Sequence, residues 1–92
     1  MATTTTILTA GRAEALFTSH LPTGSRPAHD VVEDAIRVAV RSHGGVRGCA
    51  GDVAAEYGDH PDLAAPRMRW ALEVVRDLYP ARRSHSGWAL VA

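Results

Sequence analysis

The residues able to do chemistry are few and scattered. Five histidines, His20, His29, His43, His60 and His85, and one cysteine, Cys49, are spread along 92 residues. None shows the i, i+4 histidine pair or the Cys-x-x-Cys spacing that pre-forms a metal site. A metal or redox site would need His43 and Cys49 to meet a carboxylate brought from elsewhere. Cys49 lies on an apolar helical face, which suits a small core side chain better than a thiolate, whose activation needs positive charge and access. Glu56 and Asp59 are close in sequence, but acid–base work needs a cleft that so short a chain struggles to build. Gly44-Gly45-Val46-Arg47-Gly48 matches no phosphate loop or dinucleotide fingerprint, and Gly-x-Ser-x-Gly is absent. The expectation is a chain that is not an enzyme, with no cofactor, no metal and no evident small-molecule substrate.

One cluster has the chemistry to touch an anion. Arg41, His43, Gly44, Gly45 and Arg47 precede a candidate helix, where arginines and free backbone N–H groups can hold a phosphate. The plainer reading is a glycine-terminated helix with solvated arginines.

The elements that must position these groups read as helices. Hydrophobic content of 46% against 22% charged is ordinary for a globular chain, and an apolar set dominated by Ala, Val and Leu suits close helix packing. At this length one domain is expected, of modest stability without a partner. The division expected is a mobile Thr-rich N-terminus (1–8), one all-α domain of four helices (9–80), and a C-terminal tail (81–92) apolar enough to dock. Thr9 is the expected cap of the first helix, which runs to about His20 with Ala10, Ala13, Phe17 and Leu21 on one side. The second spans His29 to Ser42, stopped by Gly44-Gly45. Its buried stripe is Val32, Ala35, Ile36, Ala39 and Val40, with Glu33 and Arg37 paired on the outside. The third covers about Val46 to Tyr57, with Val46, Cys49, Ala50, Val53, Ala54 and Tyr57 inward and Gly58 as its stop; Gly48 and Gly51 weaken it unless they permit a close contact. The fourth runs from Pro61 to about Tyr79, capped by Asp59 or His60, with Pro66 predicting a kink.

All the basic side chains except histidine are arginine, and lysine, asparagine and glutamine are absent, a pattern of high-GC bacterial coding. Formal net charge is zero, which opposes non-specific DNA binding, where affinity comes from counterion release. The N-terminus has no positively charged region ahead of an apolar run, so a cytoplasmic location and no membrane contact are expected. The lone cysteine agrees.

Residues 53–75 carry Val53-Ala54-x-Glu56-Tyr57-Gly58, then Pro61, Ala64, Met68, Ala71, Leu72 and Val75. This frame resembles the helix-turn-helix of sigma-factor region 4 and LuxR-type regulators. The resemblance covers about a quarter of the chain. It implies a helix-turn-helix-like core in the last three helices, a left-handed turn at Gly58, and a second helix that enters a DNA major groove. The groove-facing positions would then be Leu63, Pro66, Arg67 and Trp70. Base reading needs forked donors or amides, and only Arg67 supplies one.

That mismatch sets the functional expectation. At 100° per residue, Ala64, Met68, Ala71, Leu72 and Val75 form one apolar stripe on the last helix, while Leu63, Trp70 and Val74 form a second on the far side. Two stripes imply either cover by the C-terminal Trp88-Ala89-Leu90-Val91-Ala92 or a second body, since large apolar patches are uncommon on monomers. The expected function is a small non-enzymatic regulatory or protein-interaction module, including a homodimer. It would bind a protein partner or itself through Leu63, Pro66, Trp70 and Val74, with Val31 and Val38. The alternative is a DNA-binding transcriptional regulator contacting phosphate or base through Arg41, His43, Arg47 and Arg67.

Overall fold

A computed structural model describes residues 6–80. The first five residues and the tail 81–92, including His85 and the WALVA end, lie outside the described residues. Among those described there are four helices and no strand: α1 (Ile7–Thr18), α2 (His29–Ser42), α3 (Gly45–Asp59) and α4 (Pro61–Leu78). No helix among them is long and apolar enough to cross a membrane.

α1 begins earlier than its threonines suggest. Thr6, not Thr9, is the N-cap; its Oγ1 accepts the Thr9 backbone N–H at 3.0 Å, and its hydroxyl donates to Thr9 Oγ1 at 2.9 Å. Residues 7 and 8, expected to be mobile, are therefore the first turn of a helix. At the other end Thr18 Oγ1 donates to the Ala15 carbonyl, and Ser19 Oγ joins its own backbone N–H on the Leu16 carbonyl, so hydroxyls help satisfy the acceptors at the helix end. The helix is central. It packs on all three others and supplies a member to each apolar cluster: Ala13 and Leu16 with Val32, Trp70, Ala71, Val74 and Val75; Ala15 with Ala39 and Cys49; Phe17 with Val53 and Ala64. A helix buried on several sides needs apolar residues around its girth rather than in one stripe. Ala15 and Leu16 therefore join the expected Ala13, Phe17 and Leu21 in the core.

α2 has the bounds read from the sequence, with Val32, Ala35 and Ala39 buried and Ile36 and Val40 partly so. Its outer ion pairs differ: Arg37 pairs with Asp34 at 3.2 Å, and Glu33 is turned toward α4 instead. The stop at Gly44-Gly45 is a left-handed turn, with φ of 80° and 90°. That conformation costs L-residues about 1–2 kcal/mol and glycine nothing.

The junction of α3 and α4 departs from the helix-turn-helix expectation. α3 runs through Gly58 to Asp59, and Gly58 is helical rather than left-handed. His60 alone separates the two helices: its N–H reaches the Glu56 carbonyl at 2.7 Å, and its own carbonyl accepts from Ala64 N–H at 2.9 Å. Neither Asp59 nor His60 caps α4 with a side chain. Val46, Ala54 and Tyr57, expected inward on α3, are exposed, while Cys49 and Val53 are buried. α4 is assigned as one helix through Pro66. Asp62, whose carbonyl loses a partner there, and Pro66 are both exposed, so water can take the missing bond.

Candidate functional site

The second stripe of α4 is where the structure corrects the sequence most sharply. Trp70 and Val74 are 4% and 2% exposed and belong to the main core. They are covered by the loop between α1 and α2: Trp70 Nε1–H donates to the Ser25 carbonyl at 2.8 Å, and Arg26 and Pro27 border a hollow together with Val74 and Leu78. Arg26 also reaches over to Glu73 at 3.0 Å, tying the loop to α4 a second time. Leu63 is exposed at 66%, and Pro66, Val31 and Val38 are exposed too. These residues do not form one face. Leu63 borders a cleft beside α3, and Val38 borders a different hollow with Ser19 and His20.

Arg67, the expected base reader, is a structural clamp. Its Nε donates to the Phe17 carbonyl at 2.7 Å, Nη1 to Thr23 Oγ1 at 2.8 Å and Nη2 to the Ser19 carbonyl at 3.0 Å. The guanidinium also lies 4.8 Å from the Trp70 ring centre. A cation at the C-terminus of α1 meets the negative end of that helix dipole and answers carbonyls the helix leaves unpaired. Burial draws its pKa below the usual arginine value. With every arm of the fork engaged inside the fold, Arg67 is not free to read a base.

His43 is likewise committed. Its Nδ1 meets Asp52 Oδ2 across the α2–α3 turn, which sets a negative charge beside the glycine turn and opposes an anion there. Arg41 and Arg47 remain exposed on either side of the glycine turn. The cleft beyond them, about 500 Å³, is lined by His43, Asp52, Glu56, Leu63, Arg67 and the end of α1. Its hydroxyls on Thr18 and Ser19 are engaged with the α1 carbonyls. Cys49 is in the core, its Sγ 3.7 Å from Thr18 Oγ1 and 3.8 Å from the Ala39 carbonyl. No group of three metal-ligating side chains occurs among the described residues.

Two features escaped the sequence reading. One is a cluster at the far end of the molecule, where Tyr79 closes α4. Its hydroxyl donates to Glu33 Oε2 at 2.6 Å, its ring lies 3.9 Å from the Arg12 guanidinium, and the His29 ring is 4.8 Å away. The hydrogen bond from Tyr79, helped by His29, Arg12 and Arg37, holds the Glu33 carboxyl below its usual range. Burial first, then Glu33, pushes the Tyr79 phenol up to about 12. Tyr79 lies 46 residues from Glu33 and further still from His29 and Arg12, so no local pattern announces its part in the cluster.

The other feature is an apolar groove of about 540 Å³ formed by the N-terminal turns of α1, the middle of α2 and the start of α3. Among the described residues, Ile7, Leu8, Gly11, Ile36, Val40 and Val46 line it, with Arg12 as the one polar residue. Ile7, Leu8 and Val46 are 93%, 61% and 58% exposed. The signal available was Thr6 immediately ahead of Ile7-Leu8, a cap residue leading into an apolar first turn; the threonine run hid it. Compared with known proteins, the chain matches no family model, no curated protein and no solved structure.

Proposed function

We propose that the chain is a small non-enzymatic protein-interaction module that takes an apolar segment of a partner protein into the α1–α2–α3 groove. The observation that carries this reading is the exposure of Ile7, Leu8 and Val46 around a hollow almost devoid of polar groups. Contiguous apolar surface of this kind marks binding grooves, and a groove between helices accepts an amphipathic segment through two or three anchors. Covering three such side chains contributes on the order of 5–8 kcal/mol before association costs. The expected affinity is therefore about 1 µM or weaker, suited to a transient contact. The interaction surface lies on a different face from the one centred on Trp70. A DNA-binding regulator is the weaker reading, because Arg67 engages its whole fork within the fold and the Nδ1 of His43 is taken by Asp52.

The test is a photo-crosslinking amino acid placed at position 46 and, separately, at position 41, in the full chain expressed in its native host. A defined adduct from position 46 that is absent from 41 and lost in Leu8→Asp supports the groove. An adduct pattern common to both positions, or indifferent to Leu8→Asp, refutes it. Asp at this site should leave the fold intact, since Leu8 is exposed in a first helical turn where the dipole favours a carboxylate.

A further inference from the structure

We infer that, in the absence of a partner, the groove is covered in cis by the chain's own C-terminal segment, Trp88-Ala89-Leu90-Val91; this rests on the groove reading above. The first support is chemical match. The segment has no charged residue between Gly87 and Ala92, and the groove offers apolar side chains with a single arginine at its edge. A tryptophan followed by Ala-Leu-Val needs a pocket of this size and polarity to leave water.

The second support is where the chain emerges. Tyr79, at the end of α4, has its ring centre 3.9 Å from the Arg12 guanidinium, and Arg12 is itself a wall of the groove. The tail therefore starts beside the site. Residues 81–87, Ala-Arg-Arg-Ser-His-Ser-Gly, are polar and can span on the order of 25 Å when extended. From Arg12 back to Ile7 along α1 is only about 7.5 Å at the helical rise, so the tether reaches Ile7 and Leu8 with length to spare.

The third support is the arithmetic of tethering. A short flexible linker holds its end at an effective concentration of about 1 mM. An intrinsic affinity as weak as about 0.1 mM then keeps the groove roughly 90% covered. A second copy of the chain at micromolar concentration cannot match that, which favours cover within one molecule. A partner must displace the tail, and its apparent affinity is about tenfold weaker than for the bare groove.

The experiment is proton NMR of the full chain together with crosslinking at position 46. Covering in cis predicts contacts between the Trp88 ring protons and the methyls of Leu8 or Val46, unchanged on dilution. It also predicts that Leu8→Asp moves the Trp88 indole resonance while that of buried Trp70 stays in place. Trp88→Ser should raise the yield of partner adduct at position 46 about tenfold. A Trp88 indole at its unstructured position, or Trp88 contacts that fade on dilution together with a dimer mass, overturns the inference. The two proposals separate cleanly. A free Trp88 with Leu8-dependent adducts leaves the interaction reading standing alone, whereas a docked Trp88 with no adduct even in Trp88→Ser leaves only the self-covering tail.

Discussion

Replacing Gly48 by alanine should destabilise the protein, although alanine is the better helix former. Gly48 lies in the first turns of α3, and a methyl there would land on the His43 carbonyl, with the carbonyl carbon only 2.6 Å away. The carbonyl oxygen is closer still and overlaps the methyl outright, so the carbonyl must move by well over ~1 Å to restore a normal contact. The carbonyl has little room to yield. His43 N–H is bound to the Ala39 carbonyl, its ring is paired with Asp52, and Gly44 and Gly45 follow in a left-handed turn. Forcing a backbone shift of that size costs at least about 3 kcal/mol, against a helix-propensity gain of at most about 1 kcal/mol. A net loss of about 2 kcal/mol or more is expected. Gly51, one turn on in the same helix, has open space where its Cβ would go. Gly51→Ala should therefore stabilise by about 0.8–1 kcal/mol, raising Tm by roughly 4–8 °C. Urea and thermal melts of both variants, followed by circular dichroism, read the difference directly. Equal stabilisation by the two alanines would refute the close approach of the α2–α3 turn to α3.

Three further outcomes are expected. Trp70→Asp should unfold the chain rather than merely blunt a surface, because it removes a core side chain and buries a charge, a loss above about 4 kcal/mol; retained helical signal would contradict the burial. Arg67→Met should cost about 2–3 kcal/mol through loss of the charged bonds to Phe17, Thr23 and Ser19, and Arg67→Lys should recover only part of it, lacking the fork; a full recovery in chemical melts would show that charge alone matters. Tyr79 should titrate at about 12 rather than the usual ~10. Since its folded pKa is raised, its contribution to stability is complete below about pH 10 and fades as pH rises toward 12. Glu33→Gln should lower that midpoint in an ultraviolet titration, and an unchanged value would break the proposed pairing.

Helix existence was legible because it depends on local signals. Pro27 and Gly44-Gly45 bracket α2, and its apolar period of three and four residues leaves no competing strand pattern, so its bounds could be read directly. The α1 start was misplaced by three residues because both Thr6 and Thr9 are competent caps, and only the Thr6 cap leads into Ile7-Leu8. Cys49 could be assigned to the core from its face, since a buried small side chain needs no distant partner to explain it.

Periodicity states which side chains avoid water, and that much the sequence determined by itself: four helices, a buried face on each, and an excess of apolar surface on α4. It does not state what covers that surface. The 19–28 loop folds across Trp70 and Val74 because a carbonyl at Ser25 meets the indole and an arginine on α4 holds the end of α1, pairings some 45–50 residues apart in the chain. The same long-range packing left Ile7, Leu8 and Val46 around an open groove. Such choices belong to the tertiary structure because contacts between distant segments compete for the same apolar faces, and local spacing is identical whichever of them wins.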